Sequence, residues 1–223
     1  MAEPLDILVF LGTVRDSTPP RPARLGLRVA RALVAAVDAA GHRAELVDPL
    51  ELARRGPFKP HFAYRSEDAP ADLERLAQRI AEADGYVMVS PEYNHSMSPA
   101  LADLLNHFGS SLFSYKPSAI VTYSAGQWGG ARAAMTLRPF LSELGCLPVS
   151  AMVHVPCAQD VYDEAGHPKA GVDGERWGGY LGRTVSQLGW WASAARAMRR
   201  NPGDAAAPDA FKTAPSQRNA PPS

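Results

Sequence analysis

Short apolar runs alternate with longer amphipathic stretches along most of this chain, and no single motif constrains the fold as much. Runs at residues 5–11, 43–47, 86–90, 118–123 and 147–155 are apolar, β-branched or aromatic and read as strands. The first, Leu5-Asp6-Ile7-Leu8-Val9-Phe10-Leu11, is nearly continuous in apolar residues, as in a central strand covered on both faces. Between the runs lie helical patterns. Residues 25–40 place Leu25, Val29, Leu33 and Val37 on one stripe, and residues 71–83 turn Leu73, Leu76 and Ile80 inward. Residues 99–108 and 130–144 complete the set, with Gly41 and Gly145 as C-terminal caps. Such alternation predicts an α/β fold: a five-stranded, doubly wound parallel sheet with helices on both faces. The order 2-1-3-4-5 fits it, with a ligand at the switch between strands 1 and 3.

The chain has 223 residues, enough for one domain with an arm. We expect the domain over 1–200 and a disordered Pro/Ala-rich tail over 201–223. Residues 175–199 read as a long helix, with Leu181, Val185, Leu188, Trp191 and Ala195 on one face against the sheet or a partner. Residues 51–69 read as irregular. Lys+Arg and Asp+Glu are both 23, so no global bias points to nucleic acid or an anionic membrane. No basic, apolar leader pattern opens the chain, and no apolar run approaches the ~20 residues of a membrane span. Cys146 and Cys157 form no CxxC pair and are expected as reduced, structural thiols. A cytoplasmic protein is the expectation.

Three loops at the carboxyl ends of strands carry the chemistry. Gly12-Thr13-Val14-Arg15 follows the first strand, where free backbone N–H groups, a helix dipole, the Thr13 and Ser17 hydroxyls and the Arg15 guanidinium suit a phosphate monoester. Ser90-Pro91-Glu92-Tyr93-Asn94-His95-Ser96 follows the third strand and offers exposed backbone with one large aromatic. Tyr123-Ser124-Ala125-Gly126-Gln127-Trp128-Gly129-Gly130-Ala131-Arg132-Ala133 follows the fourth, and its glycines let backbone approach a flat ring closely. Other chemistries lack their residues. There is no Walker Gly-Lys-Ser/Thr ending, no GxGxxG after the first strand, no Gly-x-Ser-x-Gly elbow, and no cysteine in the first loop for a Cys-x5-Arg phosphatase. The six histidines are scattered and make no HExxH pair, so no metal is expected.

These three segments, in this order over residues 5–155, resemble the NAD(P)H-dependent FMN reductase family, with its azoreductase-, quinone reductase- and chromate reductase-like members. The resemblance implies a flavodoxin-like fold and an FMN enzyme that takes hydride from NADPH or NADH. Electrons then pass to a small acceptor: a quinone, an azo or nitro compound, a metal ion or free flavin. The chemistry resides on FMN, so no catalytic side chain is implied. The implied cofactor contacts are Gly12, Thr13, Arg15, Ser17 and Arg24 at the phosphate. At the ring they are Pro91, Glu92, Tyr93, Asn94, His95, Ser124, Ala125, Gly126, Gly129 and Gly130. Residues 18–23 lengthen the first loop, at about 0.6 kcal/mol per doubling of length. Arg21 and Arg24 both remain candidates for the phosphate; Gly26 and Val29-Ala30, which follow as in the family, favour Arg24. Glu92 suits loop ordering and His95 a rim contact. The substrate pocket is expected over the exposed ring face, bordered by residues 51–66, His95–Met97 and a neighbouring subunit, with Phe58, Phe62 and Tyr64 as its apolar wall. A homodimer or homotetramer is implied, with no nucleic-acid or membrane partner. The alternative is a non-catalytic flavodoxin-like electron carrier or redox sensor, against which the neutral charge balance speaks.

Overall fold

The computed structural model describes residues 3–16, 24–53, 56–203 and 212–213. Its sheet has five strands: β1 (Asp6–Leu11), β2 (Arg43–Val47), β3 (Gly85–Pro91), β4 (Pro117–Tyr123) and β5 (Leu147–Val155). They pair in parallel in the order β2-β1-β3-β4-β5, as the alternation of runs predicts. Parallel neighbours need crossovers, and the helices supply them. These are α1 (Leu25–Ala39), α2 (Ala71–Glu82), α3 (Pro99–Asn106), α4 (Ser110–Phe113), α5 (Ala131–Glu143), α6 (Ala158–Val161) and α7 (Gly174–Arg200).

The near-continuous apolar character of β1 follows from burial on both faces. Ile7, Val9 and Leu11 point into one core layer with Val29, Leu33 and Val37 of α1 and Leu181, Val185 and Leu188 of α7. Leu8 and Phe10 point into the other, with Leu73 and Ile80 of α2, Leu101 and Leu105 of α3 and Leu137 and Leu141 of α5. The two-residue period of a strand sorts the side chains between layers.

Several local expectations need correction. The third strand continues through Pro91, which stands opposite Tyr123 in the β3–β4 register. The reversal comes later, at residues 93–96. Tyr93 and Ser96 exchange backbone hydrogen bonds of 2.9 and 2.8 Å, around Asn94 and His95 at φ 49° and 62°. Two successive left-handed residues make this a type I′ turn. The helix expected over 99–108 ends at Asn106, and the extended backbone of Gly109 starts α4 as a separate turn. On α7 the buried stripe is Leu181, Thr184, Val185, Leu188, Gly189 and Ala192, while Trp191 is 44% exposed. The stripe passes through the small residues at 189 and 192, where a tight approach is possible. A Cβ on Gly189 would already lie 3.0 Å from the His42 ring.

The amino end of the sheet is closed by charge. Asp84 pairs with Arg196 at 3.3 Å and Arg199 at 2.9 Å, and accepts from the Asp6 N–H at 3.1 Å. Glu3 pairs with Arg200 at 2.7 Å. The buried Lys116 ammonium donates to the carbonyls of Ile80 and Ala81, each at 2.6 Å, and of Leu112 at 3.2 Å. Burial, then the neighbouring Arg199, brings its pKa down to about 7. Most of the tail expected over 201–223 lies outside the described residues; Lys212 sits over the Tyr115 ring, 5.5 Å from its centroid. Among the described residues no helix is long and apolar enough to cross a membrane.

Candidate functional site

The three loops named from sequence meet at the carboxyl edge of the sheet. Parallel strands put β1, β3 and β4 side by side, so their carboxyl ends open together. The first loop is anchored at Gly12, whose N–H donates to Val89 O at 2.7 Å and whose carbonyl accepts from the Ser98 hydroxyl at 2.6 Å. A Cβ on Gly12 would lie 2.7 Å from that Val89 oxygen, so only glycine lets the loop seat here. Ser98 also caps α3, accepting from Leu101 N–H at 3.1 Å, with Pro99 at the first helical position. Sequence reasoning passed over Ser98, although Ser-Pro before an apolar helix is a readable start signal.

At the phosphate end, Thr13 is buried and its hydroxyl oxygen accepts from the Arg15 N–H at 3.2 Å. The backbone N–H groups of Thr13 and Val14 make no hydrogen bond among the described residues. The Arg15 side chain likewise makes no ion pair among them. Arg24 is placed differently from a free anion contact. It adopts φ 54° as the N-cap of α1, forms an ion pair with Asp48 and donates to Thr13 O at 3.2 Å. It thereby ties the loop to the turn after β2. Ser17 and Arg21 lie outside the described residues.

At the ring end, Glu92 accepts from Arg132 twice, at the backbone N–H (3.2 Å) and the guanidinium (3.3 Å). That guanidinium also sits over Trp128, 5.4 Å from the ring centroid. The contact fastens the loop after β3 to the start of α5. Pro91 closes β3, and Asn94 and His95 form the exposed tip of the turn. Tyr93 and Trp128 stay exposed at 39% and 63%. Ser124 orders its own loop, donating to Gly126 O at 2.7 Å and accepting from Gly129 N–H at 2.8 Å. Gly129 and Gly130 take φ 61° and 75°, where any side chain is strained. The backbone N–H groups of Ala125, Gly126 and Gln127 make no hydrogen bond among the described residues, and a Cβ on Gly126 would meet nothing within 4 Å. Below this loop His154 contacts the Thr122 hydroxyl at 2.7 Å, and burial lowers its pKa.

A cleft of about 620 Å³ opens between residues 49–53 and 56–59, Val14 and α3. Phe58 lines it, against the His107 ring at 4.8 Å between centroids. Phe62 and Tyr64 do not: Phe62 is exposed, and Tyr64 packs against the second core layer with the Lys59 ammonium 4.0 Å from its ring centroid. Residues 95–97 do not border this cleft either. Of the three aromatics expected at an acceptor pocket, this cleft takes Phe58.

The arrangement suits a flat ring carrying an anionic arm. N–H groups and an arginine without partners among the described residues lie at one end, and open glycine backbone with two exposed aromatics lies at the other. The amino termini of α1, α3 and α5 all point to this edge and favour negative charge there. Among the described residues no group of three or more His, Cys, Asp or Glu is arranged to hold a metal.

Comparison with known proteins gives the same assignment. The family described as NADPH-dependent FMN reductase matches residues 5–160. A quinone reductase of Escherichia coli (strain K12) is 33% identical over 144 residues, covering 63% of this chain and 71% of its own length. An NAD(P)H-dependent FMN reductase of Pseudomonas aeruginosa is 36% identical over 101 residues, 44% of this chain and 55% of its own. Among solved structures, the flavoenzyme NAD(P)H:(acceptor) oxidoreductase FerB from Paracoccus denitrificans superposes with a TM-score of 0.66 at 21% identity, covering 86% of this chain and 98% of that one. That likeness shows the shared fold. The chain thus belongs to the NADPH-dependent FMN reductase family, flavodoxin-like oxidoreductases that work with FMN and NAD(P)H.

Proposed function

We propose that this chain is an NAD(P)H-dependent FMN enzyme whose acceptors are small quinones, and that the three loops at the carboxyl edge hold the cofactor. The observation that carries the reading is their convergence, with unengaged backbone N–H groups in two of the loops and Arg15 unpaired among the described residues. Bound FMN supplies the redox chemistry, accepting two electrons from NAD(P)H and releasing them to the acceptor. The protein's part is placement. Thr13, Arg15 and the start of α1 receive the phosphate. Pro91 to His95 carry one side of the ring, with Tyr93 as the aromatic at its rim. Ser124 to Gly130 present backbone N–H groups to the pyrimidine edge, where the α5 dipole favours accumulating negative charge. Glu92 keeps the two ring loops in register through Arg132.

Quinones are the favoured acceptors because the E. coli relative carries that activity in its name and the site presents flat aromatic surface at Tyr93 and Trp128. A homodimer or homotetramer fits the same region: Trp128 and Met135, 63% and 64% exposed, flank the ring loops and suit a second subunit. A cytoplasmic location fits two free cysteines and a nicotinamide donor. The test is steady-state oxidation of NADPH and NADH by FMN-loaded protein, with benzoquinones, an azo dye, ferric ion and free FMN compared. Parallel-line kinetics with kcat/KM highest for a quinone support the reading. Bound flavin that neither nicotinamide reduces contradicts it and leaves an electron carrier.

A further inference from the structure

The cleft of about 620 Å³ beside α3 is used by none of the chemistry above, and its size is that of a small-molecule pocket. Val14, Leu50 and Phe58 line it, each at least 40% exposed, so apolar surface stands uncovered in one place. The cleft runs along α3. Its near end lies at the cofactor loops: Val14 belongs to the first, where Gly12 O accepts from Ser98, and Pro99 opens the helix just after the second. Its far end lies at His107, about 12 Å along the helix. There the Phe58 ring packs on the imidazole, and the His61 N–H donates to His107 O at 2.7 Å, holding the segment down.

Two groups of opposite charge line this mostly apolar cleft. Asp103 lies midway along α3 and is exposed. Lys59 stands at the far end, its ammonium 4.0 Å from the Tyr64 ring centroid. The aromatic face holds that cation without neutralising it. Neither Asp103 nor Lys59 makes an ion pair among the described residues. This chemistry selects between ligands. A quinone offers only acceptor oxygens, so a carboxylate in the wall repels it. Adenine is flat, and its amino group donates to a carboxylate. A phosphate on the attached ribose is matched by the lysine.

We propose that this cleft binds the adenosine end of the nicotinamide donor, and that Lys59 makes the site selective for NADPH by pairing with the 2′-phosphate. The order of charges along the cleft carries the choice. The donor's pyrophosphate lies nearer the nicotinamide and falls at the near end, beside Val14 and the unpaired Arg15. The 2′-phosphate lies on the far ribose and falls at Lys59. Asp103 takes the adenine amino group, and Phe58 supplies a flat wall. The proposal rests on the functional reading above and adds how the donor is chosen.

The test needs no flavin. Adenosine 2′,5′-bisphosphate and adenosine 5′-monophosphate, the adenosine halves of the two donors, are titrated into full-length apoprotein by calorimetry. Lys59→Met keeps the stem of an exposed side chain and removes its charge. We expect it to raise the Kd of the bisphosphate about ten-fold and leave that of the monophosphate within about two-fold. Phe58→Ala should weaken both nucleotides alike. In FMN-loaded enzyme, Lys59→Met should raise KM for NADPH about ten-fold, with kcat and the KM for NADH within about two-fold. Equal loss of both nucleotides in Lys59→Met, or no loss of either, overturns the proposal. So does a wild-type chain that binds neither. If Phe58→Ala instead dissociates an oligomer in sedimentation and leaves nucleotide binding unchanged, the cleft is a subunit contact and the proposal falls. The functional reading fails separately, when the apoprotein does not bind FMN or neither nicotinamide reduces the bound flavin.

Discussion

The two ends of this sheet are built from similar residues and do opposite things with them. At the amino end, Asp84, Glu3, Arg196, Arg199 and Arg200 pair with one another, and Lys116 donates three hydrogen bonds to carbonyls. At the carboxyl end, among the described residues, Arg15 has no ion-pair partner and the N–H groups of Thr13, Val14, Ala125, Gly126 and Gln127 are unengaged. Backbone strain divides the same way. Of the five non-glycine residues with positive φ among the described residues, Arg24, Asn94, His95 and Cys157 lie at the carboxyl edge and Tyr115 at the other. Strain of this kind persists where surrounding structure enforces it, and it gathers at ligand sites. The amino end is paired throughout its charged cluster and holds the fold together. The carboxyl end pairs Arg24 with Asp48 and Glu92 with Arg132, but leaves Arg15 and several loop N–H groups without a partner among the described residues. Groups left open in this way are what a binding site requires.

The contrast can be broken by moving charge at either end. The largest effect is expected from Asp84→Ala. The carboxylate is 7% exposed between two arginines, and its loss leaves both partly buried without it. Urea denaturation should show a loss of about 3–5 kcal/mol, with FMN affinity per folded molecule unchanged. Next is Lys116, whose pKa is pulled down by burial to about 7 while the unfolded chain keeps an ordinary lysine. Above about pH 7 the unfolded state holds the extra proton, so wild type gains stability relative to Lys116→Met as pH rises. The gain should approach about 1.4 kcal/mol per pH unit between roughly pH 7 and pH 9, and none should appear below that window. Paired Tm curves for the two proteins check the sign.

At the carboxyl end, Arg15→Ala should leave stability within about 0.5 kcal/mol. FMN affinity should fall by about 1.5–3 kcal/mol, the value of a charge-assisted bond, as read by fluorescence titration. The smallest effect belongs to Glu92→Gln. The Arg132 contact at 3.3 Å lies on the rim, so stability should fall by about 0.5–1 kcal/mol or less. Its signature is kinetic: a lower kcat/KM for NADPH with FMN saturating, because the two ring loops lose their common anchor.

Much of this was legible in the sequence, for a physical reason. A strand buried on both faces must be apolar throughout, so Leu5 to Leu11 announces a central position. The loops after β1, β3 and β4 carry Gly, Pro and Asn because their backbones turn sharply. What pairing across the sheet creates was not legible. Arg24 was the favoured phosphate contact, and its guanidinium instead meets Asp48, brought beside it only because β1 and β2 are neighbours. The fit of the Tyr123 ring against Gly26, where a Cβ would collide with the phenol hydroxyl, depends on how closely α1 packs over β4, which no local pattern records. Trp191 belongs to the helical stripe by spacing, yet small residues at 189 and 192 take the close contacts and leave the indole outside.

Hydrogen–deuterium exchange with and without FMN tests the central claim most directly, because it reads both ends of the sheet in one sample. The account predicts that saturating FMN slows exchange in peptides covering residues 12–16, 91–96 and 124–130. Peptides covering 3–6, 82–86 and 196–200 should exchange as in the apoprotein. Protection confined to the amino end, or to the cleft at residues 49–59, would contradict it.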